Sequence, residues 1–132
     1  MRVVLDTNVI IAAFAARGLC ADVFEVCLES HRIVMSGHIL SEIERNLIKK
    51  IHLPRSTVQD VVDYLSDVTE IVAPENLDQS VCKDKNDIPV IGTAVAGKAR
   101  FIITGDNELL ALKKFRKISI VSPRDFWSYL KT

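Results

Sequence analysis

Four acidic side chains stand where a shared site is expected: Asp6, Glu42, Asp87 and Asp106. Asp6 ends the apolar run Arg2–Asp6 (RVVLD), and Asp106 follows Arg100–Thr104 (RFIIT) after one glycine. Glu42 lies in the first turns of the helix after Arg32–Met35 (RIVM), three residues beyond Ile39 and at the border of the apolar face. Asp87 begins a helix whose Ile91 and Val95 continue its face into the core. Gathered carboxylates repel one another, and a divalent cation removes that penalty. With oxygen ligands alone, Mg²⁺ or Mn²⁺ suits such a set better than zinc. An ion of this kind orients a water, lowers its pKa and neutralises charge on a phosphoryl group, which is the chemistry of phosphodiester hydrolysis.

Capping is the competing account. Asp6, Asp87 and Asp106 all stand at helix starts, where aspartate is favoured. A cap needs one oxygen, however, and serine or asparagine serves equally well, so capping leaves the convergence of four acids unexplained. Two further acids lie close by. Asp84 is near Asp87; the helix register points Asp87 to the sheet edge and favours it, with Asp84 as a further contributor. Glu108 either approaches the metal or simply favours the positive end of its helix.

The elements that must position these groups alternate regularly. Strands are expected at Arg2–Asp6, Arg32–Met35, Ile71–Val72, Arg100–Thr104 and Ile118–Val121. Helices are expected at Val9–Ala16, Ala21–Ser30, His38–Lys50 and Val58–Val68, then from Asp87 to Ala96 or Gly97. A short helix, Glu108–Lys113, and a last one opened by Ser122-Pro123-Arg124-Asp125 complete the set. This alternation implies an α/β fold, a parallel sheet covered on both faces by helices, in one domain spanning residues 1–132. Ligands in such sheets bind beyond the strands' carboxyl ends, where strand order reverses. Asp6 and Asp106 lie there directly.

Composition narrows the setting. The chain has 132 residues, 48% hydrophobic and 26% charged, which suits a globular domain rather than a disordered segment. Seventeen basic and seventeen acidic residues cancel, so net charge neither supports nor excludes a nucleic-acid partner. The longest apolar run, Val9–Ala16, is far short of the ~20 residues that span a bilayer. Cys20, Cys27 and Cys82 do not form a disulfide framework, and with no signal-peptide pattern a cytoplasmic location is expected. His31, His38 and His52 are too scattered for zinc and are read as surface or capping residues.

At the acidic residues the chain resembles the PIN-domain (PilT N-terminus) ribonucleases, the family that includes VapC-type toxins of toxin–antitoxin operons. VVLDTNVII matches the opening D-[TS]-[SN] element, and SGHILSE matches an S-x-x-x-x-x-E pattern ending at Glu42. DIPVIGTAVAGKA matches the segment from the third acid onward, and FIITGDNELL the strand-T-x-D element. The resemblance implies a three-layer α/β/α fold, Mg²⁺ or Mn²⁺ dependence and single-strand-selective RNA cleavage. It makes Asp6, Glu42, Asp87 and Asp106 the catalytic, metal-binding acids, with Asn8 and Thr104 as polar supports. One departure is the Lys83, Lys85 and Asn86 interspersed around the third acid, where many relatives are acid-rich.

The leading expectation is a metal-dependent endoribonuclease acting on single-stranded or structured RNA, the toxin component of a toxin–antitoxin pair. Its expected partners are a small cognate antitoxin and a second copy, the latter through the helices within Val9–Ser30 and Val58–Val68. The alternative is a non-catalytic PIN-fold nucleic-acid or protein-binding module, whose support is the Lys83–Asp87 departure. A haloacid-dehalogenase-type phosphatase also begins with an aspartate after an apolar strand, but here Asn8 stands where its second aspartate belongs. Arg45, Lys49, Lys50 and Arg55 suggest a basic rim beside Glu42, whereas Lys113, Lys114, Arg116 and Lys117 read as a solvated loop. No aromatic stacking platform stands out, and Trp127 alternates between core and surface use.

Overall fold

The computed structural model describes residues 1–132. Its sheet is built on β1 (Arg2–Leu5), β2 (Arg32–Met35), β3 (Glu70–Ile71), β4 (Phe101–Ile103), β5 (Lys114–Phe115) and β6 (Ile118–Val121), in the order β3-β2-β1-β4-β6-β5. Val3, Val4 and Leu5 are fully buried, as are Val34, Met35, Ile102 and Ile103. Continuous apolar runs of this kind mark strands covered on both faces.

Seven helices complete the layers: α1 (Thr7–Ala15), α2 (Leu19–Ser30), α3 (Gly37–Lys49), α4 (Arg55–Val68), α5 (Ile88–Ala96), α6 (Asn107–Ala111) and α7 (Pro123–Leu130). The arrangement is the expected three-layer α/β/α fold around a mostly parallel sheet. Helix α5 packs on β1, β2 and β4, while α1 packs between α2 and α3, and α3 also meets α4 and α5. Ile39, Ile43 and Leu47 form the buried stripe of α3, which leaves Glu42 beside that stripe.

The chain runs outward from β1 through β2 to β3, then crosses to β4 on the other side. Strand order therefore reverses between β1 and β4, and a crevice opens beyond their carboxyl ends. The ladder extends past the strands there, since the Asp6 N–H donates to the Ile103 carbonyl at 2.9 Å.

Three element expectations are corrected. The sheet is not wholly parallel: β5 pairs antiparallel with β6, with Lys114 opposite Ser119 and Phe115 opposite Ile118. Two residues are too few to show alternation, so Lys113–Lys117 reads as a loop in sequence although it forms a hairpin. Helices α1, α2 and α4 begin two or three residues earlier than the apolar periodicity indicates, at Thr7, Leu19 and Arg55. First-turn residues need not face the core, so polar ones there carry no periodic signal. The short helix α6 ends at Ala111 rather than Lys113, and Lys113 takes a positive φ of 60°.

Close approaches explain two glycines of the α5 segment. A Cβ on Gly92 would collide with the backbone of Glu75, and one on Gly97 with the Val34 side chain. Without side chains these positions let α5 seat against β2 and the strap that follows β3.

Candidate metal centre

Asp6 follows β1 directly and is almost completely buried. Its Oδ1 accepts the Thr7 N–H at 2.8 Å, and its Oδ2 accepts the Thr104 hydroxyl at 2.7 Å. Each carboxylate oxygen keeps a second lone pair for another partner. Burial pushes the Asp6 carboxyl above its ordinary range against the opposing pull of these two hydrogen bonds; Asp106 adds to the rise and His38 reduces it.

Asp106 caps α6, its Oδ1 accepting the Glu108 N–H at 2.8 Å. Its own N–H donates to Thr104 Oγ1 at 3.0 Å. Thr104, fully buried at the end of β4, thus ties the two aspartates together. The resemblance implies Thr104 as a polar support; that one hydroxyl bonds to both acids is not legible in sequence.

Asp87 departs from the capping expectation. It precedes α5 with helical backbone angles, φ −81° and ψ −21°, and its side chain makes no cap. Pro89 lies in the first turn, so that turn has one fewer N–H to satisfy. The Asp87 carboxylate is left buried, and its one side-chain hydrogen-bond partner is the Cys82 thiol, Sγ to Oδ2 at 4.0 Å. Burial, followed by the charges of Asp106, Asp84, Asp6 and Glu108, pushes this carboxyl up to about 7.

Asp84 and Asp87 both line the same cleft. Asp84, Asp87 and Glu108 bring one carboxylate oxygen each to within 4.8 Å of the others. Glu42 reaches the cleft from α3, and its Oε1 lies 2.8 Å from Nε2 of His38 one turn earlier. His38 is therefore a neighbour of the site rather than an isolated surface residue. Asn8 lines the cleft as well, but is exposed and makes no side-chain hydrogen bond.

The cleft encloses about 280 Å³ and has no hydrophobic lining residue. Asp6, Glu42, Asp84, Asp87 and Asp106 contribute its acids, and Glu108 approaches from beside it. The N-terminal ends of α1 and α5 meet it, and their partial positive charge offsets some of the crowding. A divalent cation fits this set on two counts. Every anionic group that lines it is a carboxylate, as a hard ion prefers. Thr7, which also lines the cleft, keeps a buried hydroxyl without a hydrogen-bond partner, a group a ligand or its water can satisfy. Sequence reasoning passed over Thr7 and His38. Thr7 stands inside the quoted D-T-N element; His38 has only its four-residue spacing from Glu42 as a signal.

Ser36 and Thr93 set the relative placement of two site helices. Ser36 Oγ accepts the Ile39 N–H at the start of α3 and lies 2.8 Å from Thr93 Oγ1 on α5. Thr93 Oγ1 is also 2.7 Å from the Pro89 carbonyl. A carbonyl only accepts, so the Thr93 proton goes to Pro89 and the Ser36 proton to Thr93. This buried chain joins the helix of Glu42 to the helix that follows Asp87.

Among curated proteins, none matches the sequence significantly. Solved structures do match the fold. VapBC2 from Rickettsia felis, bound to a DNA fragment from its promoter, has a chain 17% identical with a TM-score of 0.67, covering 92% of this chain and 98% of that one. A chain of VapBC-1 from nontypeable Haemophilus influenzae is 18% identical with a TM-score of 0.67, covering 94% and 99%. A chain of FitAcB from Neisseria gonorrhoeae is 14% identical with a TM-score of 0.55, covering 92% and 98%. At these identities the likeness is one of fold. A family model described as PIN domain matches residues 2–108, from the start of β1 through Asp106 to Glu108. The chain belongs to the PIN-domain family.

Proposed function

We propose that this protein is a metal-dependent endoribonuclease that hydrolyses phosphodiester bonds of single-stranded or structured RNA. The observation that carries this reading is the convergence of five carboxylates in one polar cleft, one of them, Asp87, buried and capping nothing. Asp6, Glu42, Asp87 and Asp106 would hold the ion, with Asp84 and Glu108 beside them. When bound, Mg²⁺ or Mn²⁺ would supply positive charge against the phosphoryl oxygens and an oriented water of lowered pKa. Thr104 holds Asp6 and Asp106 in register, and Thr7 offers a free hydroxyl. Asp87 must give up its proton before both its oxygens can serve as ligands.

The test is cleavage of labelled RNA with Mn²⁺ or Mg²⁺. Asp6→Asn and Asp106→Asn are each expected to lower the rate at least ~100-fold while the far-ultraviolet circular dichroism is unchanged. Full activity in both folded variants would overturn the site assignment.

The biological setting follows from the same reading. VapBC and FitAcB structures share the fold, which supports a toxin held by a small antitoxin. We assign self-association to the apolar face of α1, α2 and α4, where Phe14 and Tyr64 are exposed around a groove that also includes Phe24 and Leu28.

A further inference from the structure

One helix lends three donors to the cleft beside the acids: Arg45, Asn46 and Lys50, all from α3 or its C-terminal cap. They follow Glu42 by three, four and eight residues, so one helical face carries an acid at its beginning and cations toward its end. Of the basic rim that the sequence suggests, only Arg45 and Lys50 line the cleft. Lys49 and Arg55 do not, nor does any of Lys113, Lys114, Arg116 and Lys117.

These two cations make no ion pair. The structure contains two salt bridges, Arg2–Glu70 and His38–Glu42, and neither involves a cation of the cleft. Arg45 and Lys50 thus stand in one cavity with five carboxylates, yet neither lies within 4.0 Å of any carboxylate oxygen. The cleft is divided by charge, with most of its carboxylates at the sheet edge and both of its cations toward the end of α3. A cation satisfies the first part only. A polyanion whose backbone runs past a cation-bearing floor and onto the α3 wall satisfies both.

We infer that Arg45 and Lys50 are positioning residues that hold backbone phosphates of a single-stranded RNA next to the phosphate being cleaved, with the Asn46 amide as an added donor. The inference rests on the nuclease reading above and names the part of the site that binds substrate rather than metal. Arg45 has a fork of donors suited to a phosphate, and Lys50 supplies a point charge further along the strand. Both side chains are exposed, so a strand can reach them without rearrangement of the fold.

The test uses the full chain with two readouts. In the first, a fluorescein-labelled single-stranded RNA oligonucleotide is titrated with Asp106→Asn protein, so that binding is read without cleavage. Adding Arg45→Ala and Lys50→Ala to that background is expected to weaken binding roughly ten- to a hundred-fold. The slope of log affinity against log salt should become shallower by about 1.4, the effect of two lost phosphate contacts on a single strand. Lys49→Ala, a neighbouring cation outside the cleft, should change neither quantity, and Arg45→Lys should restore its share of the salt slope but only part of the affinity.

The second readout uses the active-site acids intact. There the double variant should raise KM about tenfold with kcat nearly unchanged, while Mn²⁺ affinity by calorimetry is retained. Unchanged binding and salt slope in the double variant, or an equal loss with Lys49→Ala, would overturn the assignment of these residues. Wild-type protein that binds RNA through Arg45 and Lys50 but neither binds Mn²⁺ nor cleaves would uphold it while removing the nuclease reading. RNA left unbound by protein that does bind Mn²⁺ would overturn the RNA wall itself.

Discussion

The Thr104 hydroxyl donates to Asp6 Oδ2 at 2.7 Å, joining residues 98 apart in the chain. Thr104 Oγ1 in turn accepts the Asp106 N–H at 3.0 Å. One buried side chain thereby fixes an acid after β1 and aligns the turn that carries an acid after β4. Thr104→Val keeps the shape and removes both interactions. The expected outcome is a 10–100-fold loss of Mn²⁺ affinity by calorimetry, as for other groups that orient metal-binding side chains. Thr104→Ser should retain most of the affinity, and equal affinity in the valine variant would refute the coupling.

Asp87 predicts a pH effect with a definite sign. Its carboxyl moves from 3.8 to about 7 on folding. Between those values the folded protein binds more protons than the unfolded chain, so stability falls as pH rises through that interval. Its contribution is fully present below the unfolded value and is lost as pH passes about 7. Metal-free protein should therefore lose more thermal stability between pH 6 and pH 8 than Asp87→Asn does. Mn²⁺ should raise the melting temperature of the parent protein more at pH 8 than at pH 6, because protons compete for the same oxygens. Calorimetric melts with and without Mn²⁺ check both signs.

The Ser36–Thr93 chain predicts a stability cost without a change of ligand chemistry. Ser36→Ala removes the cap of α3 and leaves Thr93 with one partner fewer, at a cost of about 1–3 kcal/mol. Urea denaturation should show a lower midpoint at unchanged slope. A midpoint equal to that of the parent would mean that the hydroxyl chain does not align α3 with α5.

Self-association is expected to depend on Phe14 and Tyr64. Their ring centroids lie 6.4 Å apart, and Phe14 also meets Phe24 at 5.5 Å. Sedimentation velocity at micromolar concentration should give a dimer for the parent and a monomer for the Phe14→Asp, Tyr64→Asp variant. A monomeric parent at that concentration would count against this face.

The sequence by itself determined the alternation of elements and the places of Asp6 and Asp106. Buried strands read as apolar runs, and each of these acids lies within two residues of such a run, so local order fixes its position at the sheet edge. Glu42 was legible for a related reason: the buried stripe of Ile39, Ile43 and Leu47 dictates which way α3 faces. Helix periodicity also placed Asp87 at the start of α5, but not the state of its carboxylate. Only the tertiary structure decided that it caps nothing, lies beside Asp84 and Glu108, and holds its proton to about 7. Those properties depend on burial and on charges from three separate segments, which no local pattern encodes. The tertiary structure likewise selected Arg45 and Lys50 from eight candidate cations. A solvated lysine and one on the wall of a cleft look alike in sequence, and packing alone tells them apart.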